Sequence, residues 1–298
     1  MERYPIKFVP KRVQTLWGGE TWLVSAHPTR PTVVANGPYA GRDLPGLFAE
    51  FGAELAGTRV AEFPLLVKIV EAKDRLSLQV HPNEESAKLN GGEAKTEMWY
   101  VLDAARDSYL FAGLREGVDA AALKRMIAEG RADEAVTQIA ARRGDALFIP
   151  GGMVHTIGAG CKLYEVQQTS DTTWRLHDWN RIDPATGKPR RTDVREAFAS
   201  IDFSLPPPEA RDGAGTLDAP AVKCSYFRFA AMDLARPVQL PANSDGLRIL
   251  FAGEGACDVL VEGRSAVALD GSDCALLPPD TPCTVVPNAR CRLLVTDN

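Results

Sequence analysis

Four histidines occur in 298 residues, at positions 27, 81, 155 and 177. Two of them stand where a strand would aim a ring into a cleft. Gln79 and His81 are separated by one residue in LSLQVHP. On a strand both side chains point to the same face, while Val80 points the other way into a core. Pro82 then ends the strand, because it cannot donate to a ladder. Glu97 opens the apolar run MWYVL after Gly91-Gly92, and His155 opens another run after Gly151-Gly152. Imidazole nitrogen, carboxylate and amide oxygen are all ligands for a borderline divalent ion such as zinc. Gln79, His81, Glu97 and His155 together would leave a divalent ion one unit positive, with positions open for water or substrate oxygens. That suits a catalytic centre better than a closed structural one. For either ring alone, a histidine hydrogen-bonded at a strand end is the ordinary alternative; the set as a whole points to a metal.

Lys95 precedes Glu97 by two residues, so on extended backbone it shares that side chain's face. A metal ion nearby would favour the neutral amine, which suits proton transfer near neutral pH. A solvated loop lysine is the plainer alternative. Arg175 and Asp178 lie in SDTTWRLHDW, flanked by Trp174 and Trp179. A guanidinium there can hold a phosphate or a developing oxyanion in a bidentate way, or it can simply pair with Asp178. His27 and His177 read as structural.

The elements that must position these groups are mostly strands. LLVKIV and LSLQV, broken by Lys73-Asp74-Arg75, read as two strands joined by a tight turn, and Met98 to Leu102 and Ser108 to Phe111 read as two more. Between 119 and 141, DAAALKRMI and ADEAVTQIA are rich in helix formers with apolar residues three to four apart, separated by Gly130, and predict a helical hairpin inserted among strands. Strands resume through Leu147 to Ile149, at Val154 and through Lys162 to Gln168. A helix from Asp193 to Ala199 and a Pro/Gly-rich linker follow, and the tail from Ala221 is again β. The tail loosely repeats the middle: Gly144 leads to Pro150 and then His155, as Gly271 leads to Pro278 and then Cys283. On that alignment the second unit has lost a ligand. The rhythm predicts two small antiparallel barrels or sandwiches.

Composition narrows the setting. With 45% hydrophobic and 24% charged residues the chain is ordinary globular material. A net charge of -5 and a pI near 5.5 give no electrostatic footprint for nucleic acid or an anionic membrane, so an anionic ligand needs local positive charge. MERYPIKFVPKRVQTLWGG has no apolar core of a signal peptide, and no run reaches the roughly 18 apolar residues of a membrane span. A cytoplasmic location is expected. Cysteines 161, 224, 257, 274, 283 and 291 form no CxxC pair and read as small buried residues.

LLVKIVEAKDRLSLQVHP, KTEMWYVLDA, GDALFIPGGMVHTIGAG and EVQQTSDTTWRLHDWNR, with WGGETWLVSAHP and VVANGPYAG near the start, occur in an order that resembles the type I mannose-6-phosphate isomerases, in particular their short bacterial form. The resemblance spans residues 5 to 200. It implies a mainly β chain of two cupin-like jelly-roll barrels in tandem: a metal-binding catalytic domain over 1–205 and a second, metal-free one over 220–298. The large helical domain of longer members would shrink to the 119–141 hairpin. It further implies one Zn2+ per chain on Gln79, His81, Glu97 and His155, with Arg175 in the active site and Lys95 as acid/base. The implied reaction moves a proton between C1 and C2 of a sugar phosphate through an enediol(ate), without a redox cofactor. Two rivals share the ligand set. A cupin dioxygenase would hold iron and take up oxygen, and a non-catalytic cupin would bind a hexose phosphate without turning it over.

Overall fold

In the computed structural model, which describes residues 1–57, 61–184 and 186–298, the short β-branched and aromatic runs become antiparallel strands. The chain divides into two units. One consists of Arg12–Glu20 and Ile69–Arg211, the other of Met1–Lys11, Thr21–Lys68 and Asp212–Asn298. The N-terminal third therefore falls largely with the tail, where a boundary near 205–220 alone was expected. The reason is a pairing invisible locally: the strand Ile6–Val9 adds to the tail strand Cys274–Leu277, with Ile6 opposite Leu276, and the Lys7 ammonium lies 2.6 Å from the Asp273 carboxylate.

The unit around residues 69–211 is built mainly from two antiparallel sheets, with a two-stranded pair, Ile182–Asp183 and Lys188–Pro189, beside them in sequence. The two main sheets remain separate hydrogen-bonded sheets and do not close into one barrel. The smaller runs in the order Trp174–His177, Leu78–Val80, His155–Ile157, Tyr109–Leu114, Val136–Ala140. In the larger, Glu97–Ala104 lies between Asp145–Ile149 and Cys161–Gln168. Trp99, Val101, Leu110, Leu147, Ile149 and Leu163 form one buried cluster, which fixes which face of each strand turns inward. The first half of the expected hairpin is a helix, Ala120–Ala128, capped by the Asp119 carboxylate accepting from Ala122 N–H. The second half is not. Ala132–Ala135 makes a single 3-10 turn, and Val136–Ala140 is a strand paired with Tyr109–Leu114. Val136, Thr137 and Ile139 are β-branched, and an open sheet edge outweighs the helix propensity of the alanines around them.

The other unit repeats this plan. Arg248–Glu254 lies between Cys274–Leu277 and Cys291–Asp297, as Glu97–Ala104 lies between its own neighbours. Register makes the correspondence residue by residue. Glu97 faces Ile149 and Gln167, while Arg248 faces Leu277 and Asp297. His155 faces Gln79, while Cys283 faces Leu240. Thus a leucine, an arginine and a cysteine stand where the first unit has Gln79, Glu97 and His155. The Arg248 guanidinium is 3% exposed; its Nε and Nη2 donate to the two Asp297 oxygens at 2.7 and 2.9 Å, and its Nη1 to the Pro241 carbonyl at 2.6 Å. Asp297→Ala would leave this buried cation without its carboxylate, which should cost about 3–5 kcal/mol of stability, read as a lower urea midpoint at unchanged slope. A shift equivalent to less than about 1 kcal/mol would mean that water or another group replaces Asp297 freely. Of the six cysteines five are buried and Cys224 is half-buried, all as free thiols. No helix among the described residues is long and apolar enough to cross a membrane.

Candidate metal centre and active site

Sheet register gathers the polar groups. In the five-stranded sheet Gln79 sits directly opposite both His155 and Arg175, so the three side chains form one row on one face. His81 follows at the end of the Leu78–Val80 strand. The turn Pro150-Gly151-Gly152 fixes that end: Gly152 N–H donates to the His81 carbonyl at 2.8 Å, and a Cβ on Gly151 would meet Pro82 O at 2.8 Å. Glycine is required there because two backbone segments touch. From the larger sheet come Glu97 and Trp99, with Gln167 opposite the first and Glu165 opposite the second.

His81, Glu97 and His155 are each 1% exposed, and one ligand atom from each lies within 4.8 Å of the others. His81 Nε2 is 3.4 Å from Glu97 Oε2, and His155 Nε2 is 3.6 Å from Glu97 Oε1. Both rings are held from behind. His81 Nδ1 donates to the Thr172 carbonyl at 2.8 Å and His155 Nδ1 to the Met153 carbonyl at 2.9 Å. A carbonyl oxygen can only accept, so the proton sits on Nδ1 and each Nε2 turns a lone pair toward the carboxylate. His81 Nε2 is buried and makes no hydrogen bond, and the buried Glu97 Oε2 has the Lys95 ammonium at 3.0 Å. A buried nitrogen left without a hydrogen bond, with rings fixed in the ligating tautomer, fits a divalent metal ion. Gln79 adjoins the set: its Nε2 is 3.2 Å from His155 Nε2 and its Oε1 accepts from Ser77 Oγ at 3.0 Å. Turning the amide over presents its oxygen to the centre, and Ser77 can then accept in place of donating.

Electrostatics agrees with neutral rings. Burial, reinforced by the Lys95 charge, pushes His81 down to about 3 against the opposing pull of Glu97. Burial also lowers His155. For Glu97 burial acts upward, but Lys95 and the two imidazoles together hold the carboxyl well below the usual carboxylate range. The sign for stability follows. Below about pH 6.5 the unfolded chain gains protons on these imidazoles that the folded chain refuses, so stability is full above that pH and falls as pH drops. Glu97 adds a further loss at lower pH, as its folded carboxylate finally takes a proton. Chelator-treated protein should therefore melt at progressively lower temperature between about pH 7 and about pH 5. A flat or rising profile would contradict neutral buried rings.

Lys95 is 5% exposed, with Nζ 3.0 Å from Glu97 Oε2 and 3.6 Å from Glu165 Oε1. Glu165 is the site residue that sequence reasoning missed. It is 3% exposed and accepts from Trp99 Nε1 at 3.1 Å. The signal was present in KLYEVQQ, where Glu165 and Gln167 alternate on one face of an otherwise apolar strand. Gln167 is fully buried, and its Nε2 donates to the Gln168 and Ser170 carbonyls.

Arg175 does not pair with Asp178. Its Nη1 is 3.9 Å from Asp193 Oδ2, its buried Nε makes no hydrogen bond, and burial and the nearby Arg190 lower its basicity. Asp178 is instead held by Arg181 and, at 3.4 Å, by Arg190. His27 is buried against Thr29, and His177 packs edge-on against Trp179, as structural histidines do.

Comparison with known proteins gives one answer. Residues 10–110 match the family model for phosphomannose isomerase type I, catalytic domain. The chain is 33% identical to the mannose-6-phosphate isomerase ManA of Bacillus subtilis (strain 168), over 93% of this chain and 94% of that protein. It is 34% identical to the mannose-6-phosphate isomerase of Streptococcus mutans serotype c, over 87% of this chain and 82% of that one. The crystal structure of a Bacillus subtilis mannose 6-phosphate isomerase superposes with a TM-score of 0.89 at 27% identity, covering 99% of both chains. Matches of this extent reach across both units, and the chain belongs to the mannose-6-phosphate isomerase family.

Proposed function

We propose that the protein interconverts mannose 6-phosphate and fructose 6-phosphate as a metal-dependent aldose-ketose isomerase, with one zinc ion held by Gln79, His81, Glu97 and His155. The observation that carries this reading is the convergence of two Nδ1-protonated imidazoles on a buried carboxylate, beside a buried lysine. When bound, the ion would polarise and orient the hydroxyl and carbonyl oxygens at C1 and C2 of the sugar.

The chain's own groups do the rest. Lys95 takes the proton from C2 of the aldose and returns it to C1, while O1 gains a proton and O2 gives one up, so the double bond passes from C1=O through an enediol to C2=O. Glu165, whose carboxylate accepts from Trp99 Nε1, is the second acid beside Lys95, 3.6 Å from its Nζ. Arg175 lies in line with Gln79 and offers N–H donors to the oxygen that gains negative charge. Arg175, Arg181, Arg190 and Arg191, with Lys188, also give this stretch of an acidic chain a local positive excess for a phosphorylated substrate. Six free thiols suit a reducing cytoplasm.

Proton transfer through a side chain that exchanges with water has an isotopic consequence. In D2O, fructose 6-phosphate formed from mannose 6-phosphate should carry deuterium at C1. A product formed at full rate with no deuterium would mean direct hydride migration, and the roles given to Lys95 and Arg175 would fail.

A further inference from the structure

We propose that Ser170 and Thr172 are positioning residues for the metal, forming a clip that holds His81 in its ligating tautomer and ties the loop before Lys95 to the loop before Arg175. The inference rests on the metal-centre reading above. His81 receives its orientation from a backbone carbonyl, that of Thr172, so the precision of the ligand depends on what fixes residue 172. Two hydroxyls do so. Ser170, 2% exposed, accepts from Thr172 N–H at 3.1 Å and donates to the Glu93 carbonyl at 3.1 Å. Thr172 Oγ1 accepts from Glu93 N–H at 2.9 Å. Asp171 N–H adds a bond to Glu93 Oε2 at 3.0 Å.

Both strands of the clip lead directly into the site. Two residues beyond Glu93 is Lys95, whose own N–H donates to the Pro82 carbonyl just after His81. Three residues beyond Thr172 is Arg175. The close approach is built into the chain at Gly92, which has φ +89°; a Cβ there would stand 2.8 Å from Thr172 Cγ2 and 3.1 Å from Trp174 Cζ2. The hydroxyls of Ser170 and Thr172 thus spend their hydrogen bonds on one junction. They act on the metal through His81.

The test is zinc affinity of metal-free protein, measured against a chromophoric chelator, together with the visible spectrum of the cobalt(II)-loaded form. Thr172→Val keeps the shape and removes the hydroxyl, Thr172→Ser keeps the hydroxyl, and Ser170→Ala removes the other half of the clip. Zinc should bind Thr172→Val and Ser170→Ala about 10- to 100-fold more weakly, with an altered cobalt spectrum, while Thr172→Ser stays near wild type. Urea unfolding of the metal-free variants confirms that they are folded. Unchanged zinc affinity in both weakened variants would overturn the clip alone, as would equal losses in Thr172→Val and Thr172→Ser. Failure of the wild type to bind zinc would overturn the metal-centre reading and the clip with it.

Discussion

Glu97→Gln and His155→Ala should each yield a folded protein that retains little zinc after dialysis and loses at least about three orders of magnitude in turnover, equivalent to about 4 kcal/mol of transition-state stabilisation. The expectation comes from the donor set. Glu97 supplies its only negative charge, and its two oxygens face a different imidazole each. Glutamine keeps the shape but removes the charge that offsets bringing a dication into a buried site. His155→Ala removes one of the two fixed lone pairs and opens space beside Trp99, whose ring stands 5.5 Å from the imidazole. Metal analysis and turnover must fall together. A variant that kept stoichiometric zinc and near-wild-type turnover would place the metal elsewhere.

Arg175→Ala should separate the two measurements. The guanidinium shares a sheet row with Gln79 and contributes no ligand atom, so zinc content should remain at the wild-type level. Turnover should fall about 10²- to 10³-fold, the usual cost of removing a donor aimed at developing negative charge. Arg175→Lys should recover only part of this, because an ammonium cannot reproduce the two-donor fork. If the alanine variant lost zinc in proportion to activity, Arg175 would be supporting the centre's structure. If kcat held and only KM rose, its role would be ground-state binding of the phosphate.

The centre was legible where local rules suffice. Alternation along a strand put Gln79 and His81 on one face, and Pro82 and the paired glycines marked Glu97 and His155 as strand openings. The two-residue offset of Lys95 from Glu97 likewise became a 3.0 Å ion pair. What was not legible depends on non-local pairing. No local pattern sets Arg175 opposite Gln79, and the alternative of an Arg175–Asp178 pair is not realised, Asp178 being held by Arg181 and Arg190. Val136–Ala140 looked helical from its alanines, and the sheet edge at Tyr109–Leu114 decided otherwise. The same holds for the units: nothing in IKFV announces that Ile6 will lie beside Leu276. Glu165 is the exception, a local signal passed over, since a glutamate at an inward strand position needs a partner and Trp99 supplies one.

The account stands most directly on conversion of mannose 6-phosphate to fructose 6-phosphate by the purified protein, followed before chelator treatment, after it, and after adding zinc back. Activity that disappears with the chelator and returns with zinc is the predicted result. Full activity in thoroughly metal-free protein, or none in protein with zinc bound at the His81–Glu97–His155 centre, would contradict it.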